Sequence, residues 1–309
     1  MVSSSAGDWD LFSPVTASVL KSCVLAARPK TLPAAIVPVW VGGVLAWSLS
    51  GSWDARLALA TLIGALAIQI ATNFFNDAID AQKGADTARR LGPIRVTASG
   101  MLRPQAVMLI AAGFLVVALG CGVILYQARG WPIVVMGAPS LFLTYGYTGG
   151  PYPLAYRGLG EWFVIGFFGL VAVTGTVFIQ TGEWPSEALL LGFQVGLLSA
   201  VLISINNLRD REEDATTGKH TFAVRCGPRC GVALIWVEIM LAALSGLAWV
   251  PMGHTWWVWA GVPVVLLGWP IMRGVQTLPP GPSYNRLLAL GGLQLLIFAV
   301  VFHSVAVLR

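Results

Sequence analysis

The sequence predicts an all-α polytopic membrane protein, because its 309 residues are 56% hydrophobic and only 11% charged. Soluble domains carry about 25% charged residues, so lipid rather than water must surround most of this chain. Hydropathy indicates about nine apolar segments of membrane-spanning length. They cover roughly residues 32–50, 56–75, 106–127, 131–148, 161–181, 187–206, 231–250, 256–272 and 288–307.

Ahead of these spans we expect a cytoplasmic N-terminal segment, residues 1–28, followed by a transmembrane domain, residues 29–309. Ser13 and Pro14 resemble an N-cap and a first-turn residue, the pair that commonly begins a helix. The segment is predicted to form a short interfacial helix that ends before Pro29. It lacks the charged stretch, apolar run and cleavage site of a signal peptide.

Basic residues indicate how the chain is oriented in the membrane. With a cytoplasmic N-terminus, 16 of the 19 Lys and Arg residues lie on the cytoplasmic side, and only Arg56, Arg129 and Arg309 lie outside. This asymmetry follows the positive-inside rule. The net charge of +5 suits anionic membrane lipid and phosphates. No basic run is interleaved with aromatic residues, so we expect no nucleic-acid partner.

A first polar motif ends the second predicted span. Asn73, Asn76, Asp77 and Asp80 have the spacing i, i+3, i+4 and i+7, so they share one face of a helix. The C-terminal end of a helix disfavours anions, which makes two carboxylates there sensible only if they hold a cation.

A second motif repeats this arrangement at the end of the sixth span, with Asn206, Asn207, Asp210 and Asp214. Two such cytoplasmic clusters facing each other would hold two or more Mg²⁺ ions. Mg²⁺ prefers a few carboxylates together with phosphate oxygens and water. The sequence therefore predicts a site for a diphosphate. Asp77, Asp80, Asp210 and Asp214 are the candidate catalytic and metal-binding residues.

Basic residues beside each motif fit a site that binds a diphosphate and stabilises it as it leaves. Lys83 and Arg95 follow the first motif, and Arg209 and Lys219 accompany the second. The alternative is that such residues only fix the topology. We favour that interpretation for Arg103, Arg229, Arg273 and Arg286.

At these motifs the chain resembles the UbiA superfamily of intramembrane prenyltransferases. Four further segments are similar to the naphthoate prenyltransferases of menaquinone synthesis, the MenA type. They are residues 27–33 (ARPKTLP), 83–87 (KGADT) with 90–93 (RLGP), 147–161 (YTGGPYPLAYRGLGE) and 218–225 (GKHTFAVR). The resemblance spans roughly residues 26–305. The third carboxylate of the superfamily pattern is replaced here by Gly84 and a later Asp86.

This resemblance implies a nine-helix bundle with a central cavity, capped by two acidic cytoplasmic loops in a bacterial cytoplasmic (inner) membrane. It implies transfer of a polyprenyl group from a polyprenyl diphosphate to 1,4-dihydroxy-2-naphthoate, with Mg²⁺ as cofactor and loss of CO₂. Asp86 is implied as a further metal ligand. Arg157 is implied as a diphosphate contact. Independently of the resemblance, residue type makes Tyr147 a candidate aromatic face for the allylic cation, and position makes Arg28 either a substrate contact or a positive-inside anchor.

Several alternatives stay open at this point. Another branch of the superfamily would transfer phytyl to the naphthoate, or would prenylate 4-hydroxybenzoate or homogentisate. A CDP-alcohol phosphotransferase would need an Asp-Gly-x-x-Ala-Arg start to its acidic motif, which is absent from this sequence. A cation transporter would place its carboxylates near the bilayer midplane, whereas these lie at helix ends beside arginines.

Overall fold

A computed structural model describes residues 14–51, 53–85, 91–92 and 94–308, which form helices and connecting loops without a strand. Asp86 and Ser13, both named above, lie outside the described residues. The α-helices are α1 (Pro14–Ala27), α2 (Pro33–Ser50), α3 (Ala55–Gln82), α4 (Pro104–Arg129), α5 (Trp131–Gly146), α6 (Gly160–Val164), α7 (Ala172–Thr181), α8 (Ser186–Arg209), α9 (Arg211–Thr216), α10 (Phe222–Ser245), α11 (Gly261–Thr277) and α12 (Tyr284–Val307). A π-helical turn, Ile165–Val171, joins α6 to α7.

The predicted all-α polytopic fold is confirmed. Eight helical segments of the described chain are long and apolar enough to cross a membrane, with α6, the π-helical turn and α7 forming one of them. The shorter apolar helix α5, of 16 residues, corresponds to the fourth predicted span. The largest boundary difference is in α10, which begins at Phe222 and continues past a kink at Gly227 (φ 86°). Nearby arginines lowered the hydropathy there, so the predicted span began too late.

At the end of the bundle opposite the two acidic motifs, a few polar side chains connect the helices. Asp54 accepts a hydrogen bond from Leu57 N at 3.0 Å and so caps the start of α3. Gln180 accepts from Asp54 N at 2.9 Å, and Arg129 donates to the carbonyls of Ile179 and Gln180 at 2.7 and 2.8 Å. The two bonds from Arg129 satisfy carbonyl groups that the end of α7 leaves without a partner in the helix.

Helix α8 is the most enclosed span, and it crosses the π-helical turn very closely. A Cβ built on Gly169 would lie 2.3 Å from the carbonyl oxygen of Gly192 and 2.5 Å from Cα of Gly196. Only glycine allows this approach, since real Cβ contacts are longer. This packing fixes the π-helical turn against α8. The π-helical turn carries Phe167 and Phe168, which line a cavity inside the bundle.

That cavity lies between α2, α3, α4, α5 and the segment from α6 to α7, with a volume of about 460 Å³. Its lining is almost entirely apolar. Its lining includes Thr72 of α3, Thr144 in the last turn of α5 and Phe163 of α6. Leu119 and Trp131 also line it and are more than half exposed on the outer surface of the bundle, so the cavity reaches the lipid-facing side.

Candidate active site

The first acidic motif occupies the last turns of α3, as the helical spacing predicted. Asp77 is only 1% exposed, and its two carboxylate oxygens accept hydrogen bonds from Val96 N at 3.0 Å and Thr97 N at 2.8 Å. Hydrogen bonds from backbone amides to a carboxylate are charge-assisted and stronger than neutral ones. Asp77 therefore fixes the loop between α3 and α4 over the end of α3.

Asp80, one turn further on, is 2% exposed and gathers three partners from distant parts of the chain. Arg95 Nη2 lies 3.2 Å and Lys219 Nζ 3.0 Å from its Oδ2, and the Tyr156 hydroxyl donates to its Oδ1 at 2.9 Å. These charge-assisted bonds are stronger than neutral ones. Asp80 is thus the point where three loops meet.

Tyr156 separates two lysines beside Asp80. Lys83 Nζ lies 4.2 Å and Lys219 Nζ 5.2 Å from the centre of its ring, and Lys83 also donates to the Thr148 carbonyl at 2.7 Å. Burial lowers the pKa of the Lys83 ammonium from its ordinary 10.5; Asp80 partly opposes this decrease and Lys219 adds to it. The site thus concentrates positive charge around one carboxylate.

The second motif is built differently, because α8 ends at Arg209 and the short helix α9 begins at Arg211. Arg209, 3% exposed, donates from Nε and Nη2 to both oxygens of Asp210 at 2.7 Å. Its Nη2 also donates to Asn206 Oδ1 and its Nη1 to Asn285 Oδ1, each at 2.6 Å. Besides its chain neighbours Asn206 and Asp210, the guanidinium thus contacts Asn285 of α12.

Lys219 joins the two motifs. Its backbone N–H donates to the Asp214 carbonyl at 2.9 Å, while its ammonium group reaches Asp80. The same loop packs on the segment after α5, where His220 N donates to the Tyr156 carbonyl at 3.1 Å. The two motifs, separated by more than a hundred residues, therefore share one cluster at the same end of the bundle.

Tyr147 and Asn207 lie on the cavity side of this cluster. The Tyr147 ring packs on Phe163 with centroids 5.0 Å apart, and Phe163 stacks on Phe167 at 4.8 Å. Burial raises the pKa of the Tyr147 hydroxyl above its usual range, with Glu161, Asp80 and Asp214 adding to the effect in that order. Asn207 donates from Nδ2 to Glu161 Oε1 at 2.8 Å.

The remaining predicted residues lie at the rim. Asn73 donates to the Ala27 carbonyl at 2.9 Å and to the Thr31 hydroxyl at 3.0 Å, so its amide nitrogen anchors the chain before α2. The other three are arranged as follows: Asn76 accepts from the Thr148 hydroxyl, Arg157 stacks 3.4 Å over the Tyr152 ring, and Arg28 adopts a left-handed backbone conformation with φ 50°.

Sequence reasoning did not assign roles to Glu161, Thr148 or Asn285. Glu161 stands at the end of the third resembling segment, residues 147–161, and it is a carboxylate where a membrane span begins, a signal that could have singled it out. Thr148 and Asn285 carry no such signal. Their contacts with Asn76 and Arg209 depend on tertiary packing.

The carboxylates of the two motifs do not form a complete metal site by themselves, but they suit an Mg²⁺ ion that is bound together with a substrate phosphate. Within the described part of the chain no three His, Cys, Asp or Glu side chains converge as a ready metal site. Mg²⁺ is usually bound by one or two carboxylates together with substrate phosphates, not by an all-protein cage. Asp77 and Asp80 on one side and Asp210 and Asp214 on the other can supply such pairs.

Comparisons with known proteins agree with this architecture. Residues 35–280 match the model of the UbiA prenyltransferase family. A relative from Mycobacterium leprae, described as 1,4-dihydroxy-2-naphthoate octaprenyltransferase, is 35% identical over 89% of this chain and 92% of its own. A relative of the same description from Escherichia coli K12 is 34% identical over 75% of this chain and 77% of its own.

The fold is also that of a solved UbiA homologue from Archaeoglobus fulgidus bound to DMAPP and Mg²⁺. The two share 12% sequence identity at a TM-score of 0.65, over 91% of this chain and 99% of the other. Four-fifths of the chain thus matches the family model. This protein is a member of the UbiA prenyltransferase family.

Proposed function

We propose that this protein transfers a polyprenyl group from a polyprenyl diphosphate to 1,4-dihydroxy-2-naphthoate, with loss of diphosphate and CO₂ and formation of a demethylmenaquinol. One observation carries the proposal. A cluster of buried carboxylates and cations lies directly over the inner end of an apolar cavity, as an anionic head with a long apolar tail requires. The naphthoate acceptor is supported by relatives described as naphthoate octaprenyltransferases.

The diphosphate head is assigned to this cluster of carboxylates and cations. Lys219, Arg95 and Lys83 supply cations within reach of Asp80, and Arg209 supplies one at the second motif. Mg²⁺ held by Asp77, Asp80, Asp210, Asp214 and the candidate Asp86 would supply further positive charge to the leaving oxygen when bound. Asn76, Asn206, Arg28 and Arg157 are proposed to complete the polar rim.

The protein's own side chains then perform three tasks. The cations stabilise the charge that develops as the allylic C–O bond breaks. The apolar wall around Phe163, Phe167 and Phe168 excludes water that would quench the allylic cation. Aromatic faces on the cavity side of the cluster, among them that of Tyr147, stabilise the cation until the acceptor ring attacks it.

The proposal is tested with purified protein in lipid, a polyprenyl diphosphate, Mg²⁺ and the naphthoate. One CO₂ should form for each diphosphate released, because attack at the carboxyl-bearing carbon makes the carboxylate the leaving group. 4-Hydroxybenzoate should react poorly, since its product keeps the carboxylate and its single ring leaves part of the pocket empty. Efficient turnover of 4-hydroxybenzoate without CO₂, and none of the naphthoate, would contradict the acceptor assignment alone.

We also propose that the site faces the cytoplasm from the bacterial inner membrane. The reason is the strong bias of Lys and Arg toward the ends of the spans that carry both motifs. Single cysteines at Ser99 and Thr216, in a chain freed of its own cysteines, should react with impermeant reagents only from the cytoplasmic side. A cysteine at Gly182 should react only from outside. The reverse labelling pattern would overturn this orientation.

A further inference from the structure

Two consecutive asparagines on α8 present opposite ends of their amides to the site. Asn206 Oδ1 accepts from Arg209 at 2.6 Å, and a guanidinium group only donates. Asn207 Nδ2 lies 2.8 Å from Glu161 Oε1, and a carboxylate only accepts. The orientation of each amide is therefore settled by its partner. Asn206 is left with an amide donor, whereas Asn207 is left with its carbonyl oxygen as an acceptor.

The surroundings of the Glu161 side chain favour its hydrogen bond with Asn207. It is 5% exposed at the start of α6, and within the described chain Asn207 is the side chain that donates a hydrogen bond to it. Its other charged or titratable neighbours are Tyr147 and Glu238, the latter buried on α10 and bonded by Ser204 Oγ at 2.8 Å. No cation of the described chain forms an ion pair with Glu161, so its bond with Asn207 is not competed for.

The free oxygen of Asn207 lies where the polar and apolar parts of the site meet. Asn207 precedes Asp210 by less than one helical turn, and Glu161 precedes Phe163 of the cavity wall by two residues. The Tyr147 hydroxyl lies beside this pair, since a Cβ built on Gly160 would be 3.0 Å from it. An aromatic acceptor packed beside Tyr147 and Phe163 would bring its ring oxygens to this position.

We propose that Asn207 Oδ1 accepts a hydrogen bond from the hydroxyl group next to the carboxyl-bearing carbon of the acceptor, and that Glu161 is the positioning residue that fixes the amide for this contact. This inference rests on the proposed function. It assigns the second motif two jobs, with Asn206 and Asp210 turned toward the diphosphate and Asn207 toward the acceptor.

The chemistry explains why an amide oxygen suffices. As the allylic C–O bond breaks, its electron pair leaves with the diphosphate, and the ring carbon that bears the carboxylate forms the new C–C bond. The neighbouring hydroxyl donates electron density and becomes a protonated carbonyl, whose O–H bond is much more acidic. The bond from the ring to the carboxylate then breaks, its electron pair returns to the ring, and CO₂ leaves with the hydroxyl restored.

No ring C–H bond is broken in this sequence, so the site needs no strong base at the hydroxyl. It needs an acceptor whose hydrogen bond strengthens while the ring carries positive charge, because only such an interaction lowers the barrier. A fixed amide oxygen meets this need. A carboxylate at the same position would add a negative charge close to the diphosphate.

The test compares the naphthoate with its methyl ether at that hydroxyl, which keeps the electron-donating oxygen but cannot donate a hydrogen bond. In the unaltered enzyme kcat/KM should favour the hydroxyl compound about 10- to 100-fold. In Asn207→Ala this preference should shrink to within about threefold. Asn206→Ala is the matched control: it should slow both compounds equally and leave the preference intact.

Glu161 is tested by the same ratio, because a merely structural residue would not change it. Glu161→Gln can still accept from Asn207 and should retain most of the preference, whereas Glu161→Leu should lose it while the KM for the diphosphate stays within about twofold. Unaltered preference in Asn207→Ala, or no preference in the unaltered enzyme, would overturn the inference. If the enzyme instead uses a single-ring phenolic acid, the proposed acceptor fails, and that phenol and its methyl ether decide the role of Asn207.

Discussion

The two acidic motifs look alike in sequence but are neutralised in opposite ways. Asp80 of the first motif draws on Arg95, Tyr156 and Lys219, which are 15, 76 and 139 residues away along the chain. Asp210 of the second motif is paired with its immediate neighbour Arg209. The first motif therefore organises loops around itself, while the second is nearly self-contained. Similar motifs can thus divide the work, one assembling the site and the other supplying a preformed pair.

The largest expected effect is the loss of prenyl transfer in Asp77→Asn or Asp210→Asn. Each change removes a negative charge without changing side-chain size, and kcat should fall by about 10³-fold or more, because these carboxylates are the proposed ligands of the metal that neutralises the diphosphate. The measurement is diphosphate release by protein that inserts normally into membranes. Near-normal turnover of either variant at saturating Mg²⁺ would remove that motif from the catalytic site.

Hydrogen exchange separates the two variants further. Asp77→Asn leaves backbone amides of the loop with a weaker acceptor, so exchange of residues 94–101 should accelerate by about fivefold, or roughly 1 kcal/mol. Asp210→Asn serves as the control and should leave that loop unchanged. Equal protection in both variants would mean that the first motif does not organise the loop.

Replacing an arginine by lysine should impair the second motif more than the first. Arg209 uses three nitrogens on Asp210, Asn206 and Asn285, a geometry that an ammonium group cannot reproduce. Arg209→Lys should lower kcat/KM by about 100-fold, and Arg95→Lys, which alters the contact between Nη2 and Asp80, by about 10-fold. Equal losses, measured at saturating naphthoate, would indicate that the second motif is no more preformed than the first.

A smaller effect is expected at Lys83. Because burial lowers its pKa from 10.5, its charge is lost as the pH rises toward that value, earlier than for a free lysine. Unfolded chain then binds more protons than folded chain, so this group makes the fold less stable at lower pH and the penalty disappears as the pH rises. Activity should move the other way and decline with rising pH, if the cation binds diphosphate.

Lys83→Arg should abolish that alkaline decline, because a guanidinium group stays charged, and Lys83→Met should lower kcat/KM by about 10-fold at neutral pH. The pH profile of kcat/KM for the diphosphate is the measurement. An unchanged profile in Lys83→Arg would show that another group titrates.

The smallest effect is expected at Asn285, the one partner of Arg209 that comes from α12. Asn285→Ala removes a hydrogen bond of 2.6 Å and should lower kcat/KM only two- to fivefold, about 0.5–1 kcal/mol, because Asp210 still holds Arg209. Arg286→Ala, at the neighbouring exposed position, is the control. A loss comparable to that of Arg209→Lys would mean that the second motif depends on long-range contacts after all.

Helical periodicity predicted which residues share one face of a helix, but not the contacts between helices and loops. It placed Asn73, Asn76, Asp77 and Asp80 on one face of α3, because that face is set by local geometry. It could not foresee that Asp80 meets Lys219, since such a contact depends on how loops from different spans pack. Nor did it foresee the helix break at Asp210, or the π-helical turn at Ile165–Val171, which needs the close approach of glycines on α8.

The resemblance supplied what the motifs could not, namely the prenyl transfer, the naphthoate acceptor and the loss of CO₂, but it left residue roles as hypotheses. The amide of Asn73 is used to hold the chain before α2, while Glu161 had no assigned role and proved to hold Asn207. Both outcomes follow from hydrogen-bond satisfaction of buried groups, which only three-dimensional packing determines.

The lipid-facing wall of the cavity, where Leu119 and Trp131 are exposed, has a consequence for kinetics. A donor whose tail lies partly among acyl chains is supplied in two dimensions, so its effective concentration is a mole fraction in the bilayer. Diluting the donor with extra phospholipid at constant bulk concentration should therefore slow turnover, whereas diluting the whole vesicle suspension should not. An apparent KM expressed per unit volume would then vary with the amount of lipid in the assay.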